Sequence, residues 1–338
     1  MKIPPVYTIT PEMVELIARI EAIRIYLVSL KLEGQVKEKI QRVSLLKSSL
    51  FSARIEGNTL DLSDVESGEK LEQKKKQEVF NIVKGAEFVN TKVKKGKITK
   101  NILLELHRIA MKDLTPDAGH FRQEVSAIFN QAGVAVYIPP PPSDIVHLLN
   151  NLLTYINSNK EKFPLVAAFV AHVVFEKIHP FLDGNGRAGR LLIAAILKAK
   201  DWDFTFTPHQ IGAGFTVPFE KYLDEYKDEY YYHLDLGLRN TNDFLLFMLK
   251  AFLEEIEKIK MEIEDHLEKK EQLFLPPRQE EIFNIIKDHA ICSFDMVRRR
   301  FLKVPERTLR YDLKKLLDKK LIEKSGETRA RYYRVKGK

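Results

Sequence analysis

Two apolar segments, Phe163 to Ile178 and Leu191 to Leu197, flank the run His179-Pro180-Phe181-Leu182-Asp183-Gly184-Asn185-Gly186-Arg187-Ala188-Gly189-Arg190. Apolar stretches of this kind read as buried helices, so the polar run between them is a loop held by two core elements. Its glycines, Gly184 and Gly186, admit positive φ and let backbone N–H groups approach a ligand with no Cβ in the way. A helix starting near Arg187 adds its unpaired N–H groups and the positive end of its dipole to the same loop. Arg187 and Arg190, three apart, share one helical face, and their forked guanidiniums suit phosphate oxygens. Asp183 is a hard oxygen donor of the type Mg²⁺ takes, most other positions being left to water and phosphate. His179, at the loop entrance, has the side chain that titrates near neutrality and can take a proton from a hydroxyl. The set has the parts of a phosphoryl-type transfer site.

Glycine pairs alone make turns and single histidines are usually structural, but nine specified residue types within twelve positions are not a chance arrangement. The run resembles the signature of the Fic (filamentation induced by cAMP) family, His-Pro-Phe-x-Asp/Glu-Gly-Asn-Gly-Arg-x-x-Arg, with every specified position matched. The resemblance implies a mainly α fold, a helical Fic core that transfers AMP from ATP to a protein hydroxyl. It implies His179 as base, Asp183 as Mg²⁺ ligand, and the Gly184 to Gly186 amides with Asn185 on the α and β phosphates. Arg187 and Arg190 would hold the β and γ phosphates.

Upstream, Ile40, Val43, Leu46 and Leu50 have the spacing of an amphipathic helix that runs into Ser52-Ala53-Arg54-Ile55-Glu56-Gly57-Asn58. Gly57 is a helix stop, which puts Glu56 in the last turn, where the dipole disfavours an anion and a nearby cation would relieve the conflict. Ser52 lies one turn back on the same face. From the residues alone this is a solvated glutamate at a helix end. The resemblance implies more, since many Fic relatives carry a Ser/Thr-x-x-x-Glu-Gly/Asn inhibitory segment. Here Ser52 and Glu56 occupy its places, before the core, and Glu56 is expected to pair with Arg190 in the γ-phosphate site. In some relatives the same glutamate supports removal of AMP.

Between these elements, Gly119-His120-Phe121-Arg122 and the stretch Ser126 to Ile138 resemble the family's flap, a short hairpin around Asn130-Gln131-Ala132-Gly133 that receives a target backbone by strand addition. Pro139 to Pro142 reads as an extended exit. Tyr230, Tyr231 and Tyr232 follow the core. The family often sets tyrosines against adenine, with Tyr231 the candidate here, and helix packing is the equal alternative.

The chain's 338 residues, 44% hydrophobic and 30% charged, exclude general disorder. One cysteine, Cys292, allows no internal disulfide, and with no cleavable signal pattern at Met1 to Pro5 the expectation is a cytoplasmic protein with no membrane segment. The net charge of +8 is concentrated at one end: Leu273 to Lys338 hold 18 Lys and Arg against 9 Asp and Glu. The expected division is residues 1–98, helical with the inhibitory helix; 99–241, the Fic core; 242–272, a helical linker; and 273–338, a basic domain beyond Pro276-Pro277.

In that last segment, helices over Arg278 to Asp288, Ser293 to Phe301 and Pro305 to Lys319 precede two strands, Leu321 to Glu323 and Arg331 to Val335, around Ser325-Gly326. The order resembles a winged helix-turn-helix domain. That resemblance implies duplex DNA as partner, with Arg307, Thr308, Arg310 and Tyr311 on the recognition helix and Lys324, Arg329 and Arg331 on the wing. Protein contact or homodimerisation is the other reading. Three further readings of the whole chain stand beside AMP transfer. One is transfer of a phosphate or phosphocholine group, as in Fic relatives with an altered loop, and it loses ground because the loop here follows the AMP-transfer form. Another is a transcriptional regulator whose Fic portion senses ATP or modifies the protein itself. The third is a metal-dependent hydrolase using His172, His179, Asp183 and His209, whose spacing forms no recognisable ligand set.

Overall fold

The computed structural model describes the chain except residues 31, 33, 67–72, 130–134, 159, 203, 205–214, 273–274, 290–291, 327–331 and 337–338. It divides into two compact units, Met1–Lys260 and Met261–Lys338. The predicted break at Pro276-Pro277 thus falls inside the second unit, which already begins within a long helix.

In the first unit, α1 (Pro11–Ser29) starts where the Thr10 hydroxyl accepts the Met13 N–H, with Pro11 in the first turn, where its missing N–H costs nothing. Next come α2 (Gly34–Ile55), α3 (Leu62–Glu66), α4 (Gln73–Lys92) and α5 (Lys100–Ala110), the last capped by Thr99. A two-stranded antiparallel hairpin follows, β1 (Ile128–Phe129) on β2 (Ala135–Tyr137), with Ile128 opposite Tyr137 and a register shift after it. The hairpin occupies the predicted flap. The turn expected at Asn130 to Gly133 lies outside the described residues. Pro141 is extended, as expected, whereas Pro142 is already the first residue of α6 (Pro142–Ile156), a position proline favours because its φ is preset.

α7 (Pro164–Ile178) and α8 (Asn185–Ala199) form the centre. Every residue from Leu165 to Phe175 is buried, because α7 is apolar all round and packed on several sides, α6 and α8 among its neighbours. α8 also packs on α4 and α5, and α2 packs on α4 and on α9 (Glu220–Glu225). α10 (Lys227–Leu236) and α11 (Thr241–Gln272) complete the helical layer, and α11 runs on into the second unit. The six residues 179–184 that join α7 to α8 are therefore anchored at both ends in the best-packed part of the molecule.

The second unit contains α12 (Pro277–Asp288), β3 (Cys292–Ser293), α13 (Phe294–Arg300), α14 (Glu306–Asp318), β4 (Ile322–Ser325) and β5 (Tyr332–Val335). Its strands form an antiparallel sheet in the order β3-β5-β4 around a core of Ile282, Ile286, Val297, Leu309, Leu313 and Leu316. The three helices and two of the strands match the sequence reading. β3 is additional, a two-residue strand too short to leave a periodic signal. Asp312 is buried within this unit, where it accepts from Arg278 Nε and Gln279 Nε2. Among the described residues no helix is long and apolar enough to cross a membrane.

Close helix approach depends on glycine at the end of α10. A Cβ on Gly237 would lie 2.3 Å from Val173 Cγ2 and 3.1 Å from the His233 carbonyl, and a β-branched side chain and a backbone atom have little room to give. Gly237→Ala should therefore destabilise the chain by about 1–3 kcal/mol, read as a lowered denaturation midpoint with an unchanged denaturant slope.

Candidate active site

The loop 179–184 takes its shape from contacts that the sequence does not show as neighbours. His179 ends α7 in the left-handed region, φ 50° and ψ 60°, its N–H still bonded to the Phe175 carbonyl. Gly184, at φ 79°, is the residue before α8, and a Cβ there would strike Met111 Sδ at 2.4 Å, so both conformation and space require glycine. Asn185 closes the loop from within: its Oδ1 accepts the Phe181 N–H and its Nδ2 donates to the Phe181 carbonyl, both at 2.9 Å. Its amide is thus engaged with the loop through Oδ1 and one of its two Nδ2 hydrogens. α8 begins at Asn185, two residues earlier than predicted, so the amides of Asn185 and Gly186 belong to its first turn, where N–H groups lack helical partners.

Two further residues hold the loop. His107 on α5 accepts the Gly119 N–H at Nδ1 (2.9 Å), which fixes the tautomer in which Nε2 donates to the Asp183 carbonyl (2.8 Å). Burial pushes its pKa down to about 4, and the neutral ring stacks on Phe181 with centroids 3.6 Å apart. Arg122, also buried, donates from Nε to the His179 carbonyl and from Nη1 and Nη2 to the carbonyls of Glu124 and Pro140. It ties the loop to both sides of the hairpin. Tyr137 on β2 donates to the Lys177 carbonyl at 2.8 Å, and the Lys177 ammonium lies 4.2 Å from its ring centroid. Sequence inspection singled out Arg122 as part of the flap without this role and did not find His107, since neither spacing nor composition marks a side chain that recognises a distant carbonyl.

His179 is half-buried, with Nδ1 3.3 Å from the Glu176 carbonyl, and burial holds its imidazole below the ordinary range. Asp183 is exposed, and its Oδ1 accepts from Arg187 Nη2 at 3.2 Å and from the Gly184 N–H. An exposed carboxylate at the mouth of a loop of amides, with two arginines behind it, has the donor chemistry for Mg²⁺ bound jointly with phosphate oxygens.

Arg190 is 2% exposed. Its Nε donates to Ser52 Oγ, and its Nη2 donates to the Ser52 carbonyl and to Glu56 Oε1, each at 2.8 Å. Burial alone would lower the guanidinium's pKa, and Glu56 beside it turns the net shift upward. Glu56 reaches it from the end of α2, which terminates in a Schellman motif: Asn58 N–H bonds to the Ala53 carbonyl and Gly57 N–H to that of Arg54, with Gly57 at φ 98°. The carboxylate also covers Gly186, where an added Cβ would lie 2.2 Å from Glu56 Oε1. Thus Ser52, Glu56, Gly186 and Arg190 meet at one point. Tyr231, 43% exposed, donates to the Ile55 carbonyl at the edge of this junction, Tyr230 is buried on His172 Nε2 at 2.8 Å, and Tyr232 is exposed.

Beneath Arg190, His172 is fully buried and its pKa is pushed down to about 3 by burial and by Arg190. It lies 3.9 Å from Glu176, whose pKa burial pushes up to about 8. His209 lies outside the described residues, and His172 Nε2 is taken by Tyr230. Among the described residues the group close enough to share an ion is Glu225, Glu254 and Glu255, and Lys258 already bonds the last two.

Glu176 gives a signed pH dependence. Its carboxyl is protonated in the folded chain up to about pH 8 and ionises near 4.5 when unfolded, so its contribution is complete below 4.5 and is lost as pH rises through 8. His172 acts oppositely in a lower window, its contribution being lost as pH falls from 6.5 towards 3. Between about pH 5 and pH 8, stability of Glu176→Gln should fall with pH less steeply than that of the unmodified chain, by up to about 1.4 kcal/mol per pH unit. Urea midpoints across that range read the slope, and identical slopes would contradict this protonation state.

Residues 97–197 match the Fic/DOC family model. The chain is 32% identical over 172 residues to the protein adenylyltransferase Fic of Drosophila erecta, covering 47% of this chain and 33% of that protein. With the Drosophila willistoni protein of the same name it is 28% identical over 207 residues, 57% and 40% of the two chains. It therefore spans well under half the length of these relatives. A Fic family protein from Desulfovibrio desulfuricans G20 has a similar structure at TM-score 0.71 and 25% identity, over 99% of this chain and 98% of that one. A C. elegans Fic-1 structure shares the fold at TM-score 0.60 and 21% identity, over 75% and 73%. Signature loop, helical core and these likenesses agree, and it is the stretch at residues 97–197, the signature loop included, that is similar to the Fic/DOC family.

Proposed function

We propose that the chain is a self-restrained protein AMP transferase. It would move AMP from ATP to a Ser, Thr or Tyr hydroxyl on a protein target, the chain itself included, with Mg²⁺ as cofactor. The observation that carries this reading is the 2.8 Å contact of Glu56 with Arg190, within a fully matched signature loop. In this reading neutral His179 takes the proton of the incoming hydroxyl, whose oxygen bonds to the α phosphorus while the bond to the β-phosphate oxygen breaks and pyrophosphate leaves. The amides of Gly184, Asn185 and Gly186 hold the α and β phosphates at the start of α8. Arg187 and Arg190 neutralise the leaving pyrophosphate, and Tyr231 borders the base. Bound at Asp183, Mg²⁺ would add charge neutralisation on the phosphates. The hairpin would receive the target backbone. Glu56 and the γ phosphate then compete for Arg190, so ATP cannot seat its tail while Glu56 stays. The names of the adenylyltransferase relatives support the transfer chemistry.

Label from α-labelled ATP with Mg²⁺ should appear on protein at least about tenfold faster with Glu56→Gly than with the unmodified chain. The rise corresponds to about 1.4 kcal/mol or more of relieved competition. Adding His179→Ala should abolish it. No label in any form, with ATP still bound, would favour AMP removal or nucleotide sensing instead.

A second activity has its own support in the basic excess of the second unit, read here as a winged helix. On α14, Arg307 and Tyr311 are exposed and Thr308 is half-buried, while Arg310 lies 3.9 Å over the Phe294 ring and 3.5 Å from Glu306. Lys324 on β4 is exposed, and Arg329 and Arg331 lie outside the described residues. Duplex DNA should be bound most tightly at low salt, with Arg307→Ala weakening binding and reducing the salt slope by about one. Absence of binding at low salt would leave protein contact or dimerisation as the role of this unit.

A further inference from the structure

The contact between Glu56 and Arg190 accounts for one of the two arginines in the loop. Arg187 is held by a different anion. Its Nη2 bonds Asp183, its Nη1 lies 3.8 Å from Glu78 Oε1 on α4, and its buried Nε has no partner among the described residues. Glu78 is itself fixed from the far side: Asn58 Nδ2 donates to Glu78 Oε2 at 2.9 Å and to the Lys75 carbonyl at 2.9 Å. Asn58 is buried, its Oδ1 accepts the Leu60 N–H, and its own N–H closes the Schellman motif that positions Glu56.

One seven-residue segment, Ser52 to Asn58, therefore reaches both arginines, Arg190 directly through Glu56 and Arg187 through Asn58 and Glu78. We propose that Glu78 is a second anionic restraint on the nucleotide site, holding Arg187 as Glu56 holds Arg190 and kept in place by Asn58. The inference rests on the reading above, in which both arginines receive the β and γ phosphates. Both arginines are buried and both glutamates partly exposed, but Glu78 stands 3.8 Å from Arg187 against 2.8 Å between Glu56 and Arg190, so its effect is smaller. The arrangement also couples the two restraints. Displacing the turn at Gly57-Asn58 removes Glu56 and frees Glu78 from its amide donor in the same movement, and by linkage a polyphosphate drawn to Arg187 loosens that turn.

The test is nucleotide binding to the full chain carrying Glu56→Gly and His179→Ala, with Mg²⁺, compared with the same chain further altered at Glu78→Gln or Asn58→Ala. The Kd for ATP should fall about three- to tenfold with Glu78→Gln and in the same direction with Asn58→Ala. The Kd for AMP, which has no β or γ phosphate, should not move. An ATP affinity that is unchanged or weaker would overturn the proposal, the weaker case marking Glu78 as a support that aims Arg187 at phosphate. A parallel change for AMP and ATP would overturn it too, as the sign of general rearrangement. Transfer is scored separately on Glu56→Gly with His179 intact: tighter ATP without transfer would sink the transferase reading and keep the restraint.

Discussion

A guanidinium buried as deeply as Arg190 requires an anion. Taking the charge out of water costs several kcal/mol, and only a closely placed counter-charge with its hydrogen bonds satisfied offsets that. In this structure Glu56 and Ser52 supply both. Much of the surrounding architecture serves that arrangement: α2 must end where it does, Gly186 must lack a Cβ, and Tyr230 with His172 and Glu176 must form a neutral floor. The same requirement explains why a single segment can govern the site. Whatever replaces Glu56 has to bring negative charge to the same point, and under the proposed function that ligand is a polyphosphate tail.

Charge balance below Arg190 follows the same logic. Glu176 and Glu220 both have raised pKa values, to about 8 and about 7, and His172 is kept neutral, in each case through burial first. A core that already holds one charged pair accommodates its other titratable groups in their uncharged forms. The neutral floor leaves the balance at Arg190 to be set from above, by the end of α2.

The loop was legible because the function proposed for it needs a dense set of residue types over a short span, and α7 and α8 were legible because their apolar runs read as buried helices. Glu56 was legible only through the resemblance, since alone it is a glutamate at a helix end. What sequence inspection did not yield is the set of long-range partners that hold the loop: His107 on the Asp183 carbonyl, Arg122 on that of His179, and Glu78 between Asn58 and Arg187. These are single polar residues that meet backbone or charge from another helix, and such contacts carry no periodicity. The inward turn of Asn185 was missed for a related reason. A residue between two glycines of a ligand loop looks available to the ligand, whereas the loop itself has unpaired backbone groups at Phe181 that must be satisfied first.

The Schellman turn at Gly57 bears on how the chain can change state. Helix ends open locally at a fraction of the free energy needed to unfold a domain. Because Glu56 stands at that end and not in the middle of α2, a change confined to its last turn, with Leu50 still seated in the core, would uncover Arg190 in the proposed reading once another anion takes the place of Glu56. A partner that binds the altered turn would act as a key to a lock whose bolt is one turn long, and would leave the rest of the protein undisturbed.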